Sequence, residues 1–167
     1  MEFLGQAATC FFRCMVIHKE EAVMNDLEIA KTELYEENLT LAIVKNGAVL
    51  YETKSSKISG FLDAIDKCGC QLEEASLADR VAGKAIALLC AYAKIKEVYA
   101  GVLSRKALAV FKQHRITSHW NELVENVLDQ NKEGMCPFEK AAADTSDPRT
   151  AYITFKKMLA DFKACKA

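Results

Sequence analysis

Apolar positions along the chain recur with two periods, and each change of period marks a new element. Asp26 to Glu37 predicts a helix with Leu27, Ala30 and Leu34 on one face, and Asn25 ahead of it is a good N-cap residue. Leu39, Leu41 and Ile43 alternate, and Val49 and Tyr51 resume the alternation after Asn46-Gly47. Asn-Gly between apolar runs is a strong hairpin signal, because both residues tolerate positive φ. Strands are therefore expected over 39–45 and 48–54. Ile58 to Cys68 reads as an amphipathic helix with Ile58, Leu62 and Ile65 inward, stopped by Gly69. Ser76 to about Ala93 reads as the longest helix, apolar nearly all round and so buried on most sides. A strand over Glu97–Leu103, a helix over Ser104–His114, a short strand near Ile116–Trp120 and a helix over 121–130 follow. Pro137 opens another helix and Asp147-Pro148 breaks it. Thr150–Ala164 is a last amphipathic helix with Tyr152, Phe155, Leu159 and Phe162 inward. A hairpin followed by strand–helix crossovers predicts an α/β fold with a mixed sheet and helices on both faces.

Length and composition narrow the class. A chain of 167 residues is one compact domain. Lys+Arg (22) and Asp+Glu (23) cancel, which argues against a basic nucleic-acid binder. An apolar fraction of 51% excludes a disordered chain. Seven cysteines, an odd number without regular spacing, make a poor disulfide framework and point to a reducing, cytoplasmic setting. Residues 1–23 read as an extension outside the domain, which is expected to run from Met24 to Ala167. Their apolar stretch, Phe11 to Ile17, follows Glu2 and is interrupted by Arg13, so it is neither a secretory signal nor long enough to span a membrane. Cys10, Cys14 and His18 are four apart and would share a helix face. Three such ligands fall one short of a structural zinc site, and the plainer reading is an amphipathic leader.

Two stretches have the residue types for chemistry. In the first, Ser76 with Asp79 resembles a capping box, and Asp79, Arg80, Gly83 and Lys84 interrupt an otherwise apolar helix. Gly83 inside a helix costs about 1 kcal/mol relative to Ala, a cost that often permits close approach of a backbone or ligand. One reading is a small-anion site at a helix N-terminus, with Lys84 as cation and Asp79 as acceptor. The other is a cap with solvated Arg80 and Lys84. In the second stretch, Cys136 precedes Pro137 at a helix start and Glu139 sits at the third helical position. One reading is an activated thiolate with Glu139 carrying protons. The other is a small buried hydrophobe capping a helix. Neither a G-x-x-x-x-G-K-[ST] loop nor a G-x-G-x-x-G turn occurs, so no cofactor is expected.

The segments MNDLEIA (24–30), LTLAIVKNGAVLYE (39–52), ASLADRVAGKAIALL (75–89), KEVYA (96–100) and GMCPFEK (134–140) together resemble a prokaryotic family, the domain of unknown function 1893 family, grouped with the cytidine-deaminase-like fold. The resemblance implies a three-layer α/β/α sandwich with a mixed sheet of about five strands. Zinc deaminases of that fold need a His or Cys followed two residues later by Glu at one helix start, and P-C-x-x-C at the start of the helix after the third strand. Placed on the expected elements, those positions read Ala78-Asp79-Arg80 and Leu103-Ser104-Arg105-Lys106-Ala107, without the ligands or the acid/base. Zinc-hydroxide deamination is therefore not expected. The reading that follows is a binding module rather than an enzyme. It would hold a small anionic or nucleotide-like ligand through Ser76, Asp79, Arg80, Lys84, Ser104 and Arg105. The alternatives are an enzyme using Cys136 as nucleophile with Glu139 or Asp79 assisting, and a structural protein that pairs with a second copy through an apolar face.

Overall fold

The computed structural model describes residues 24–55, 58–128 and 134–164. The candidate ligands Cys10, Cys14 and His18, and the extension that carries them, lie outside the described residues. The elements are α1 (Asp26–Glu36), β1 (Leu41–Lys45), β2 (Ala48–Thr53), α2 (Ser59–Cys68), a 3-10 turn (Gly69–Leu72), β3 (Ser76–Ala82), α3 (Lys84–Tyr92), β4 (Glu97–Ser104), α4 (Arg105–Gln113), β5 (Thr117–Val124), α5 (Pro137–Ala143) and α6 (Pro148–Ala164). They build a five-stranded mixed sheet in the order β2-β1-β3-β4-β5. β1 is antiparallel to both neighbours, and β3, β4 and β5 run parallel.

The hairpin forms as the sequence predicts. Asn46 and Gly47 both take positive φ, 53° and 77°, and Lys45 pairs with Ala48 across them. The Asp26 carboxylate fastens that turn to α1, accepting from the Asn46 and Gly47 N–H groups at 2.8 and 2.7 Å. At the start of α1, Asn25 Oδ1 accepts from Glu28 N–H at 2.8 Å, as an N-cap should. Leu27, Ala30 and Leu34 bury against Ala42, Val44, Ala78 and Tyr99 on one side of the sheet. The other side carries the larger core, in which Phe61, Leu62, Leu88, Leu89, Phe111 and Phe155 are fully buried. Helix α3 lies in the middle of that layer, against α2, α4, α5 and α6.

Three expectations are corrected. The expected long helix from Ser76 is a strand and a shorter helix, divided at Gly83. Strand β3 is central and buried, so Leu77 and Ala78 are both inaccessible and the apolar alternation that would mark a strand is lost. Ser76 is thus the first residue of β3, not a helix cap, and its hydroxyl donates to Glu97 at 2.8 Å. The expected helix over 121–130 is in its first part the end of β5, which pairs with β4 as far as Val124. That edge strand is largely exposed, so it lacks the apolar face that would announce it. Helix α6 begins at Pro148, two residues earlier than expected, with the Asp147 carboxylate accepting from Thr150 N–H at 2.7 Å. Of its expected inward face, Phe155 is fully buried while Phe162 is largely exposed and rests its ring 5.9 Å from that of Phe138.

Candidate functional site

The two chemical stretches of the sequence meet at the carboxyl end of β3. Asp79, Arg80 and Val81 from β3, Gly83 just after it, and Cys136, Pro137, Phe138 and Glu139 from the start of α5 line one cavity of about 350 Å³. Leu41, Ile58, Ile86, Val127 and Leu128 supply apolar walls, and Thr40, whose hydroxyl donates to Thr53 O and Ser55 O, completes the lining.

Asp79 and Glu139 are the buried carboxylates of this cavity, each 8% exposed. Asp79 accepts from Val81 N–H at 2.9 Å. Burial nevertheless outweighs the backbone hydrogen bonds from Val81 and Arg80 and pushes its carboxyl up to about 7. Arg80 points to the other side of the strand. Its Nε donates to Leu39 O at 2.7 Å, its Nη2 to Leu34 O at 3.2 Å and Asn38 Oδ1 at 3.0 Å, and its guanidinium stacks 5.1 Å from the Tyr35 ring centre. It thereby satisfies carbonyls at the end of α1 and just beyond. Lys84 likewise turns away, its Nζ donating to Ala143 O at 3.0 Å.

Glu139 takes the position an anionic ligand would occupy. Lys84 N–H donates to its Oε2 at 3.0 Å and Ala85 N–H to its Oε1 at 2.8 Å, so one carboxylate caps the first turn of α3. Gly83 is what lets it lie there. A Cβ at position 83 would run into the Glu139 carboxyl group. Gly83 is the N-cap of α3 rather than a residue inside a helix, so the expected helix-interior cost does not arise; it marks a close approach, and the approaching group belongs to the chain itself. Cys136 is the residue before α5, half-buried, and its side chain makes no capping hydrogen bond.

The remaining expected site residues are elsewhere. Ser76 stands at the opposite end of β3. Ser104 is buried at the end of β4 and caps α4, accepting from Ala107 N–H at 3.0 Å. Arg105 pairs with Glu125 at 3.3 Å on the surface. Thr40, Ile58, Val127 and Leu128 are not expected as site residues from the sequence, because their part is set by which strands and loops end beside Asp79.

The corrected elements also move the positions at which zinc residues would stand. The helix after the third strand begins at Lys84, and Gly83-Lys84-Ala85-Ile86-Ala87 holds no cysteine. The helix before it opens Ile58-Ser59-Gly60, with no His, Cys or Glu. Among the described residues no group of three His, Cys, Asp or Glu is arranged to hold a metal ion.

Among the described residues the mixed five-stranded sheet carries one helix on one face and five on the other, a layered α/β fold. Within that class the chain belongs to the family described as "Domain of unknown function (DUF1893)", whose model matches residues 29–159. A DUF1893 family protein from Thermotoga maritima is similar over 80% of this chain and 90% of its own, with 27% identity and a TM-score of 0.72. A dCMP deaminase from the cyanophage S-TIM5 covers 59% of this chain and 94% of its own at 17% identity and TM-score 0.42. A diaminohydroxyphosphoribosylaminopyrimidine deaminase/reductase from Thermotoga maritima covers 70% of this chain and 39% of its own at 19% identity and TM-score 0.41. No curated protein matches the chain. No helix among the described residues is long and apolar enough to cross a membrane.

Proposed function

We propose that the chain is a small-molecule-binding module whose ligand sits in the cavity over Asp79. The observation that carries this reading is convergence. Two stretches about 55 residues apart, each with its own signs of chemistry, place Asp79, Gly83, Cys136 and Glu139 around one mostly apolar cavity. A concave apolar site with a few polar groups is the usual form of a small-ligand site. Of the two ligand descriptions the sequence suggested, a ring like that of a nucleobase suits the apolar walls. A phosphate at the α3 N-terminus suits them less, since Glu139 already accepts from the Lys84 and Ala85 N–H groups.

The test is a thermal-shift and NMR screen of nucleobases, nucleosides and nucleotides. Binders are expected to raise the melting temperature and to move resonances of Ile86 and Phe138. Ile86→Trp, which fills the cavity, is expected to abolish both effects. Binding that survives Ile86→Trp unchanged would place the ligand elsewhere.

Cys136 on the cavity wall supports a second reading, a thiol-dependent enzyme. In that reading Asp79 would be the proton acceptor, because Glu139 is committed to α3. Alkylation by iodoacetamide slowed by a bound ligand, together with a Cys136→Ala variant that binds ligand but leaves it unchanged where the parent chain alters it, would favour catalysis. Cys136→Ala behaving like the parent chain in every respect would exclude it.

A further inference from the structure

Among the described residues, Asp79 has no countercharge. Among the described residues that line the cavity the cation is Arg80, and its guanidinium is directed to the carbonyls of Leu34 and Leu39. Lys84 is bonded to Ala143 O, and both oxygens of Glu139 are engaged with α3. The other described neighbours bring no positive charge. Leu41 and Ile58 are apolar, Thr40 is neutral, and Cys136 and Cys90 are thiols, the latter held well above its ordinary range by burial and then by the charge of Asp79. A carboxylate buried without a countercharge is costly even when backbone N–H groups donate to it, and the cost is relieved by a hydrogen-bonding cation. An anion entering this cavity would meet two carboxylates and a helix terminus already capped.

Resting on the ligand-site reading, we propose that the ligand presents a planar cationic head with paired N–H donors, of the amidine or protonated aminoheterocycle type, to the Asp79 carboxylate. Its apolar remainder lies against Ile86 and Phe138. Paired donors on a planar cation match the two oxygens of a carboxylate, and such charge-assisted pairs are among the stronger polar contacts. The upward shift of the Asp79 carboxyl by burial agrees with this. The free site shares its time between the protonated and ionised forms near neutrality, and a cation selects the ionised one.

Three probes of one shape and different charge test it on the full chain: benzamidine, benzamide and benzoate. The expected order of affinity is benzamidine, then benzamide, with benzoate weakest by at least tenfold. Benzamidine affinity should climb by nearly tenfold per pH unit below about 7 and level off above, because Asp79 must release its proton to bind. Asp79→Asn should weaken benzamidine by at least tenfold and change benzamide by less than threefold. The pH series uses the parent chain, so it decides the matter even if Asp79→Asn folds poorly. Benzoate binding as well as benzamidine, or benzamidine indifferent to pH and to Asp79→Asn, overturns the proposal. If the nucleobase screen finds an Ile86-dependent ligand while benzamidine stays silent, the charge preference falls and the ligand site stands. Silence from every compound sinks both.

Discussion

A single carboxylate organises the start of α3. Glu139 is 8% exposed and accepts two backbone N–H groups, so removing it leaves two donors without partners in a buried place. Glu139→Ala is expected to cost about 2–4 kcal/mol in chemical denaturation, since hydrogen bonds to a charged group contribute roughly 1.5–3 kcal/mol each and water partly replaces them. Gly83→Ala is expected to cost about 1–3 kcal/mol by overpacking, because the new methyl group and the carboxylate claim the same space. The two costs should not add. In a chain already carrying Glu139→Ala, the second substitution should cost well under 1 kcal/mol, and a double-mutant cycle with no coupling would contradict the close approach. Asp79 makes a different prediction. Its carboxyl is raised from 3.8 to about 7 in the folded state, so the folded chain holds a proton that the unfolded chain has lost between those values. Stability from this group is therefore present below pH 4, falls as pH rises toward 7 and is flat above. Asp79→Asn should be more stable than the parent chain at pH 8, by roughly 1–3 kcal/mol, with the difference gone at pH 4. A constant difference across that range would show that the carboxyl is not perturbed.

At the scale of elements, Arg80 shows how a strand can hold a helix. It satisfies carbonyls at Leu34 and Leu39 and covers the Tyr35 ring, so β3 closes the end of α1 from the far side of the sheet from the cavity. Arg80→Ala is expected to cost about 1–3 kcal/mol and to raise amide exchange in the last turn of α1 first. Which elements were legible follows from the same geometry. Helix α1, the β1–β2 hairpin, β4 and α4 each have a local signature, such as a cap, an Asn-Gly turn or a one-sided apolar face. Strand β3 has none, because Ser-Leu-Ala-Asp-Arg-Val-Ala contains good helix formers and its burial hides the alternation. The end of β5 has none for the opposite reason, being an edge strand with both faces largely wet. Of the residues that stood out in the sequence, Asp79, Gly83, Cys136 and Glu139 meet, whereas Ser76, Ser104 and Arg105 lie elsewhere and Arg80 and Lys84 turn away. What the sequence could not show is which of them face one another. Reading β3 as a helix put Arg80 and Lys84 beside Asp79, whereas the strand turns Arg80 to the other side.

Over the whole molecule, α3 is the hub, and the cavity lies where its first turn meets the C-terminal helices. Phe138 rests its ring edge against Phe155 at 6.0 Å and is 5% exposed, so it both anchors α5 and forms a wall of the cavity. Phe138→Ala is expected to cost about 3–5 kcal/mol and to enlarge the cavity, weakening any ligand that Ile86→Trp also excludes. The reach of Glu139 has a further consequence, in time rather than space. Its hydrogen bonds join residues 54 and 55 positions apart, whereas the N-caps of α1 and α4 close over three. Contacts of long sequence separation bear a larger loop-closure cost before they form. During synthesis the first turn of α3 must therefore wait for the chain to be extended by half a hundred residues before its amides are satisfied. A contact made that late belongs after the rate-limiting step, so Glu139→Gln should speed unfolding and leave refolding almost untouched. Stopped-flow rates that slowed on the refolding limb instead would show that the two ends of the domain find each other first.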